Sequence, residues 1–429
     1  MIDKSWVINR NNINTFAMKL FIKYHYCSVL AIISIVFGVS CTTTPSKPTE
    51  TYGYTREQIE SLKTKDSKIL SVDRSNITKI DLNDLFDGAI KFTEIITKAN
   101  IIELESSEES LVGGNIQKVI ITDSRIYIED DFLQGGVIIF DRNGKYIHRI
   151  KNGNGPGELF QVASIDFDYN TNELVVCQNR SMYYYDKDGN YLRDKPTPFG
   201  TYDFKIYNGQ YAFETINPIN PQMQEIANNM FFMTDTNFRV VKSGLPDATF
   251  IAYASRHYLS ENEGDLFIEK NFNDTIYALN GNNLSARYVL DYSSKKIPQN
   301  IIEKSNSFTS FRENTNGADY TFFLGDYLEA GNIQVFRLTN LSKGDFLAFR
   351  NKKTGKIVGG YNKRFDIEQL PFIDLPISNY KDYFITTITK YQYSEYCKNS
   401  TLLSKEDIAK ILRHKEDDNQ LLVLFKVEL

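Results

Sequence analysis

Tryptophan is nearly absent from this chain: the only one among 429 residues is Trp6. Cysteine and histidine are scarce too, at four each. The histidines, His25, His148, His257 and His414, are scattered, so a three-histidine metal centre has no support. The cysteines, Cys27, Cys41, Cys177 and Cys397, form no CxxC pair, which removes zinc knuckles and thioredoxin-type sites. No Gly-x-Ser-x-Gly elbow marks a serine hydrolase. Basic charge is in deficit. The net charge is −5, whereas a nucleic-acid binder presents a basic face to phosphates. No nucleic-acid partner is expected.

Other aromatics are abundant, with 27 Tyr and 29 Phe. Such residues fit pleated, half-buried surfaces and point to strands. Cys177 closes the apolar run Leu174-Val175-Val176-Cys177 and reads as a small buried hydrophobe.

The N-terminus reads as an export address. Lys19 and Lys23 precede an apolar stretch, Ser28 to Phe37, that is too short to span a bilayer comfortably. Gly38, Val39 and Ser40 then lead to Cys41. This is the grammar of a signal peptide. It resembles a lipobox, although Gly38 stands where Leu is usual, and the resemblance implies lipidation of Cys41. Residues 1–40 are therefore expected to be an N-terminal extension and signal peptide, with Met18 as the start. The leader holds Lys4, Arg10, Lys19 and Lys23 against Asp3, so the chain beyond it carries −8. Residues 41–88 are expected to hold the lipidated cysteine and a tether, opening with the Thr- and Pro-rich stretch Thr42 to Glu50. Residues 89–429 are expected to fold.

That last segment repeats. Val119–Thr122, Arg125–Ile128, Gly136–Asp141 and Lys145–Ile150 alternate as four short strands. Ile165–Phe167, Glu173–Val176, Met182–Asp186 and Asn190–Arg193 follow in the same order. The turns Asp141-Arg142-Asn143-Gly144 and Asp186-Lys187-Asp188-Gly189 lie 45 residues apart. Four strands per period of this size build a propeller blade. A β-sandwich also spaces its strands closely, but would not repeat one turn at one period. Weaker units surround Phe231–Val241, Ile276–Leu290 and Phe346–Val358. Ile297–Asp319 reads as an insertion, and Lys405–Arg413 as a helix capped by Ser404. The final strand, Leu421–Val427, is expected to close the ring against a strand near Phe92–Leu104. The expected fold is all-β: a six-bladed propeller of four-stranded antiparallel blades, with a short helix before the closing strand.

Four segments carry a family resemblance. They are Ile102–Gly113, Gly153-Asn154-Gly155-Pro156-Gly157-Glu158-Leu159, Phe272–Tyr277 and Glu416–Leu422. Together they resemble the six-bladed β-propeller lipoproteins of anaerobic Gram-negative bacteria, which are NHL-like. The resemblance spans residues 90 to 429 and implies a fold, not an activity. Within the second segment, Gly153, Gly155, Pro156, Gly157 and Glu158 read as a structural turn. Gly155 and Gly157 would supply positive φ, and Glu158 would anchor a neighbour. A phosphate cradle is the competing reading, but the loop opens no helix and Pro156 removes an N–H.

The expected function is an envelope-anchored, non-catalytic binding or scaffolding propeller. It would be held at the outer membrane through Cys41 and would take a peptide, a glycan or an envelope protein. The alternative is a divalent-cation-dependent lyase or lactonase acting at the central channel. No cofactor, catalytic residue or metal ligand is assigned. A calcium ion in the channel would leave no spacing signature. The acid runs Glu129-Asp130-Asp131 and Glu416-Asp417-Asp418 read as solvated loops.

Overall fold

The computed structural model describes residues 53–429, apart from 63–65, 114–115, 131–135, 161, 179, 216–219, 247–257, 363–372, 374 and 389–396. Cys41, the leader, His25 and His257 lie outside the described residues.

Six sheets carry the fold. Blade 1 runs Ile116–Ile121, Arg125–Asp130, Val137–Asp141 and Tyr146–Ile150, and blade 2 runs Val162–Asp168, Glu173–Gln178, Ser181–Asp186 and Tyr191–Pro196. Blade 3 is built from Asp203–Tyr207, Gln210–Glu214, Asn229–Thr234 and Val240–Pro246. Leu259–Asn262, Asp265–Ile268, Thr275–Asn280 and Asn283–Asp291 form blade 4. Thr321–Ala330, Ile333–Asn340, Gly344–Asn351 and Ile357–Tyr361 form blade 5. Blade 6 closes the ring: Ser378–Tyr380, Tyr383–Ile388 and Leu421–Val427 come from the C-terminal part, and Ile96–Ile102 supplies the outermost strand. The expected six-bladed propeller is the observed fold.

The repeating turn has a repeating cause. Asp141 Oδ1 accepts the N–H groups of Asn143 (2.8 Å) and Lys145 (2.9 Å). Asp186 does the same for Asp188 (2.8 Å) and Asn190 (3.0 Å), and Asp235 for Asn237 (2.8 Å) and Arg239 (3.0 Å). One carboxylate thus folds the turn before the fourth strand in three successive blades.

Strand alternation supplies the packing. In blade 2, Leu174, Val176 and Tyr185 face blade 1, while Val175, Cys177 and Tyr184 face blade 3. Cys177 is fully buried in that second seam, and burial pushes its thiol pKa well up. Each of the six seams owns one apolar cluster. Burying one such Leu, Ile or Phe is worth about 1.5–3 kcal/mol, so every blade holds its neighbours.

The main departure from the sequence reading is the stretch assigned to the tether. From Tyr54 onwards it is a belt wound around the outside of the ring. The Tyr54 hydroxyl donates to Pro196 O of blade 2 (2.7 Å). The helix Arg56–Ser61 puts Ile59 into the seam between blades 2 and 3. Lys68–Ile69 pairs in parallel with blade 3, and Val72–Asp73 and Thr78–Asp81 with blade 4. Phe86 stacks on Phe346 of blade 5 at 4.4 Å. Ile90 N–H donates to Tyr361 O (3.1 Å), and a Cβ on Gly360 would lie 2.7 Å from the Ala89 carbonyl carbon. Glycine is needed there for the belt to reach the strand. The physical reason for the belt is edge protection. The outermost strand of a blade offers a row of free backbone groups, and the belt pairs with them. Where the belt itself becomes the outer strand of blade 6, the helix Lys405–Arg413 takes over. Asp407 accepts Ile101 N–H (3.3 Å), and Lys410 donates to Ile101 O (3.0 Å).

The insertion forms two short helices, Gln299–Lys304 and Phe308–Asn314, over a small core of Ile297, Phe311, Phe322 and Leu324. Among the described residues, no helix is long and apolar enough to cross a membrane.

Candidate functional site

The first strands of the blades surround the axis, and side chains on them join blade to blade. Lys118 Nζ of blade 1 reaches Ser164 Oγ of blade 2 (3.0 Å) and Asp203 of blade 3 (3.4 Å). Ser164 Oγ donates to Asp203 Oδ1 (2.6 Å), and Asp203 Oδ2 accepts Leu259 N–H of blade 4 (3.2 Å). Asn262 of blade 4 donates to Glu329 of blade 5, and Asn379 of blade 6 donates to Glu329 O (2.9 Å). Ser378 Oγ returns to Val119 O of blade 1 (2.6 Å). These polar groups join neighbouring blades around the axis. Lys205 does the same. Burial opposes its charge, but Asp166 at 2.6 Å holds its pKa above the ordinary lysine value.

One polar constellation is built differently. A cleft of about 330 Å³ opens between blades 4 and 5, on the face that carries the turns between first and second strands. Glu263, Asn332, Lys352 and Lys353 sit in those and the neighbouring turns at its rim. Asp265 and Arg287 pair on one wall (2.8 Å). Phe267 and Tyr288, stacked at 6.3 Å, line it as well. At its floor lies Glu329, whose side chain is 2% exposed. Its carboxylate accepts from the Tyr327 hydroxyl, Gln334 Nε2 (3.0 Å), Asn262 Nδ2 and Lys352 Nζ (2.7 Å). Burial works against the Lys352 ammonium, but bonds to Glu329 and Glu263 (3.2 Å) keep its pKa above the usual lysine value. Gln334 is itself held by Arg350 (2.7 Å). This second tier of bonds holds Glu329 in place, and with it Asn262 and Lys352.

A larger hollow of about 500 Å³ lies at the rim where the belt passes from blade 3 to blade 4. It offers belt residues 68–73 and two asparagines, with no aromatic side chain and no buried polar network.

At the opposite end of the blade 4–5 seam lies Glu269. It is fully buried, and neither carboxylate oxygen has a hydrogen-bond partner among the described residues. Burial first, and then the nearby Asp203, Asp326 and Glu214, push its pKa well above the ordinary value. Among the described residues, no three His, Cys, Asp or Glu side chains gather as a metal-holding group.

The turn residues read from the sequence do not join the cleft. Gly153, Gly155, Pro156, Gly157 and Glu158 link blade 1 to blade 2, on the opposite face. Gly155 N–H donates to Glu158 Oε2 (2.8 Å), and Glu158 N–H to Gly155 O (3.0 Å). Gly157 has φ +73°, and its carbonyl accepts the Tyr185 hydroxyl (3.2 Å). Gly155 is not left-handed, and Glu158 closes its own loop rather than reaching a neighbour.

The other resembling segments also have structural duties. Asn419 Nδ2 donates to Glu105 O (2.7 Å) and Ser110 O (2.9 Å), and Asn419 Oδ1 accepts Val112 N–H (2.6 Å). The first and last segments, about 310 residues apart, therefore lock the ring at its seam. Asp274 pairs with Lys296 (2.6 Å). His148 lies on the outer strand of blade 1 and His414 at the end of the last helix, and burial lowers the pKa of both. Glu416 and Asp417 are exposed, as an acid run should be. Glu129 and Asp130, expected to be solvated, are buried, and Asp130 accepts Gly113 N–H (2.8 Å). Asp131 lies outside the described residues.

The cleft residues gave no sequence signal. Asn262, Asp265, Arg287, Glu329 and Lys352 come from turns and strands of two irregular blades, and no spacing unites them.

A family model described as "Domain of unknown function (DUF4934)" matches residues 77–426. No curated protein matches the sequence. A solved protein of Bacteroides fragilis NCTC 9343, described as exported, aligns over 82% of this chain and 100% of its own, with a TM-score of 0.69 and 17% identity. That similarity establishes the fold. The extracellular domain of a one-component system from B. thetaiotaomicron aligns over 61% of this chain and 29% of its own, at a TM-score of 0.33 and 10% identity. A protein of unknown function from Bacteroides caccae aligns over 58% and 82%, at 0.36 and 13%. These two scores are too low to carry an argument.

Proposed function

The chain belongs to the DUF4934 family, and from that premise we propose that it is an envelope-anchored, non-catalytic binding propeller. Its ligand, a peptide, a glycan or a partner protein, docks in the cleft between blades 4 and 5. The observation that carries this reading is the state of Glu329. A general acid or base needs a lone pair or proton to exchange with substrate. Glu329 has four protein partners and almost no exposure, so it serves as a post that orients Lys352 and Asn262. A preorganised rim over a saturated carboxylate suits recognition.

The leader supports the address: a signal-like segment ends at Cys41, and lipid there would hold the propeller at the outer membrane. The B. fragilis protein that shares the fold is itself described as exported.

The test has two arms. Ligand captured by the full chain is recovered and weighed by mass spectrometry, and melting is followed with and without a chelator. Recovery of intact ligand and an unchanged melt are expected. A cleaved ligand, or a melt lowered by the chelator, overturns the non-catalytic reading in favour of a cation-dependent enzyme.

A further inference from the structure

The cleft between blades 4 and 5 is balanced in charge. Its lining holds three cations, Arg287, Lys352 and Lys353, and three anions, Glu263, Asp265 and Glu329. Two of the cations are already engaged. Arg287 meets Asp265 at 2.8 Å, and Lys352 meets Glu329 at 2.7 Å and Glu263 at 3.2 Å. An anionic ligand would have to compete with these carboxylates. One of them, Glu329, is buried and tied to blade 5, so it cannot swing aside. A cationic ligand would meet the Lys352 ammonium above the same carboxylate. Neither sign of ligand gains a net field here.

A neutral ligand rich in hydroxyls faces no such conflict. Each hydroxyl donates one hydrogen bond and accepts up to two. The rim sets donors (Arg287, Lys352, Asn332) beside acceptors (Asp265, Glu263). Adjacent hydroxyls on one ring can then be met by opposite partners without breaking either ion pair. Phe267 and Tyr288 back the cleft from within the seam, where both rings are buried. The volume, about 330 Å³, falls at the small end of ligand pockets.

We propose that this cleft binds a neutral saccharide, the uncharged terminal unit of a glycan. Arg287 and Lys352 act as donors, and Asp265 and Glu263 as acceptors. The proposal rests on the reading of the cleft as the ligand site, and narrows its ligand to one class.

The experiment uses the full chain in detergent on an array of neutral oligosaccharides, sulfated and uronate-containing oligosaccharides, and peptides. Three proteins are compared: the unaltered chain, Arg287→Ala, and Arg193→Ala as a control. Arg193 bonds Glu173 on blade 2 (2.8 Å), far from the cleft, and is half exposed. The Arg287 side chain is 36% exposed, so its loss should leave the melting temperature in place, and melting is recorded for each variant. The expected result is binding to neutral oligosaccharides, weakened at least ten-fold by Arg287→Ala and unchanged by Arg193→Ala. Binding confined to acidic glycans or peptides, and lost in Arg287→Ala, overturns the ligand class and leaves the cleft standing as the site. Binding indifferent to Arg287→Ala overturns the cleft itself. Absence of binding to every class on the array overturns both.

Discussion

The seam between blades 1 and 2 and the seam between blades 4 and 5 solve the same problem with different side chains. The first is filled by Tyr127, Ile139, Ile165, Leu174, Val176 and Tyr185, all buried. Its polar contacts lie at its two ends: Lys118 Nζ meets Ser164 Oγ by the axis (3.0 Å), and the Tyr127 hydroxyl donates to Lys187 O at a turn (3.0 Å). The second buries a comparable apolar set, including Phe267, Tyr327, Phe336 and Phe346. To this it adds two buried carboxyl groups, Glu329 with four partners and Glu269 with none among the described residues. Both seams bury charged groups, Lys118 at the first and Glu329 at the second. Burying a carboxylate is costly unless it is fully bonded. What sets the second seam apart is that its carboxylate network opens onto a cleft, and that makes it the candidate site.

The contrast can be broken most forcefully on its apolar side. Leu174→Ala should cost about 2–5 kcal/mol, because Leu174 is fully buried among apolar neighbours and its loss leaves a cavity. Urea unfolding would measure it. A loss below about 1 kcal/mol would mean that the seam repacks freely and is not the rigid member of the pair. On the charged side, Glu329→Gln keeps the volume but removes the charge facing Lys352. We expect a smaller loss, about 1–3 kcal/mol, from donors left without their carboxylate. If the variant is as stable as the parent, the network is not holding the rim.

The third comparison sets the two carboxyls of the second seam against each other. The folded-state pKa of Glu269 is raised. Between the ordinary glutamate value and that raised value, the native state keeps a proton that the unfolded chain releases. Stability contributed by this group is therefore full at low pH and declines as pH rises. Glu269→Gln should remove that decline and leave the protein more stable at neutral pH. Unfolding curves at pH 5 and pH 8 test it. A variant that loses stability at pH 8 would show that the carboxyl is ionised and engaged.

The same contrast sets what could be read in advance. Blades 1 and 2 were legible because one turn recurs 45 residues apart with the same Asp and Gly, and because strand alternation is a local property. Tyr183, Tyr184 and Tyr185 split between two seams as their alternation requires. The belt was not legible. Its strands, such as Lys68–Ile69, are two residues long and pair in parallel with strands nearly 175 residues away. Short segments with no apolar period read as tether, and only the free edge of a blade turns them into structure. Glu129 and Asp130 looked like surface acids for a related reason: a run of charge is local, whereas the backbone N–H that Asp130 accepts belongs to Gly113.

By itself the sequence determined the class of fold, the repeat, the capped final helix and the closing strand, since the strands, turns and cap from which each is read are set by neighbours within a few residues. Tertiary structure alone decided which outer edges needed cover and which carboxylates were buried. It also decided that Asp265, Arg287, Glu329 and Lys352 would face one cleft. Those outcomes depend on which surfaces meet when the ring closes, and no local pattern encodes a meeting between blades.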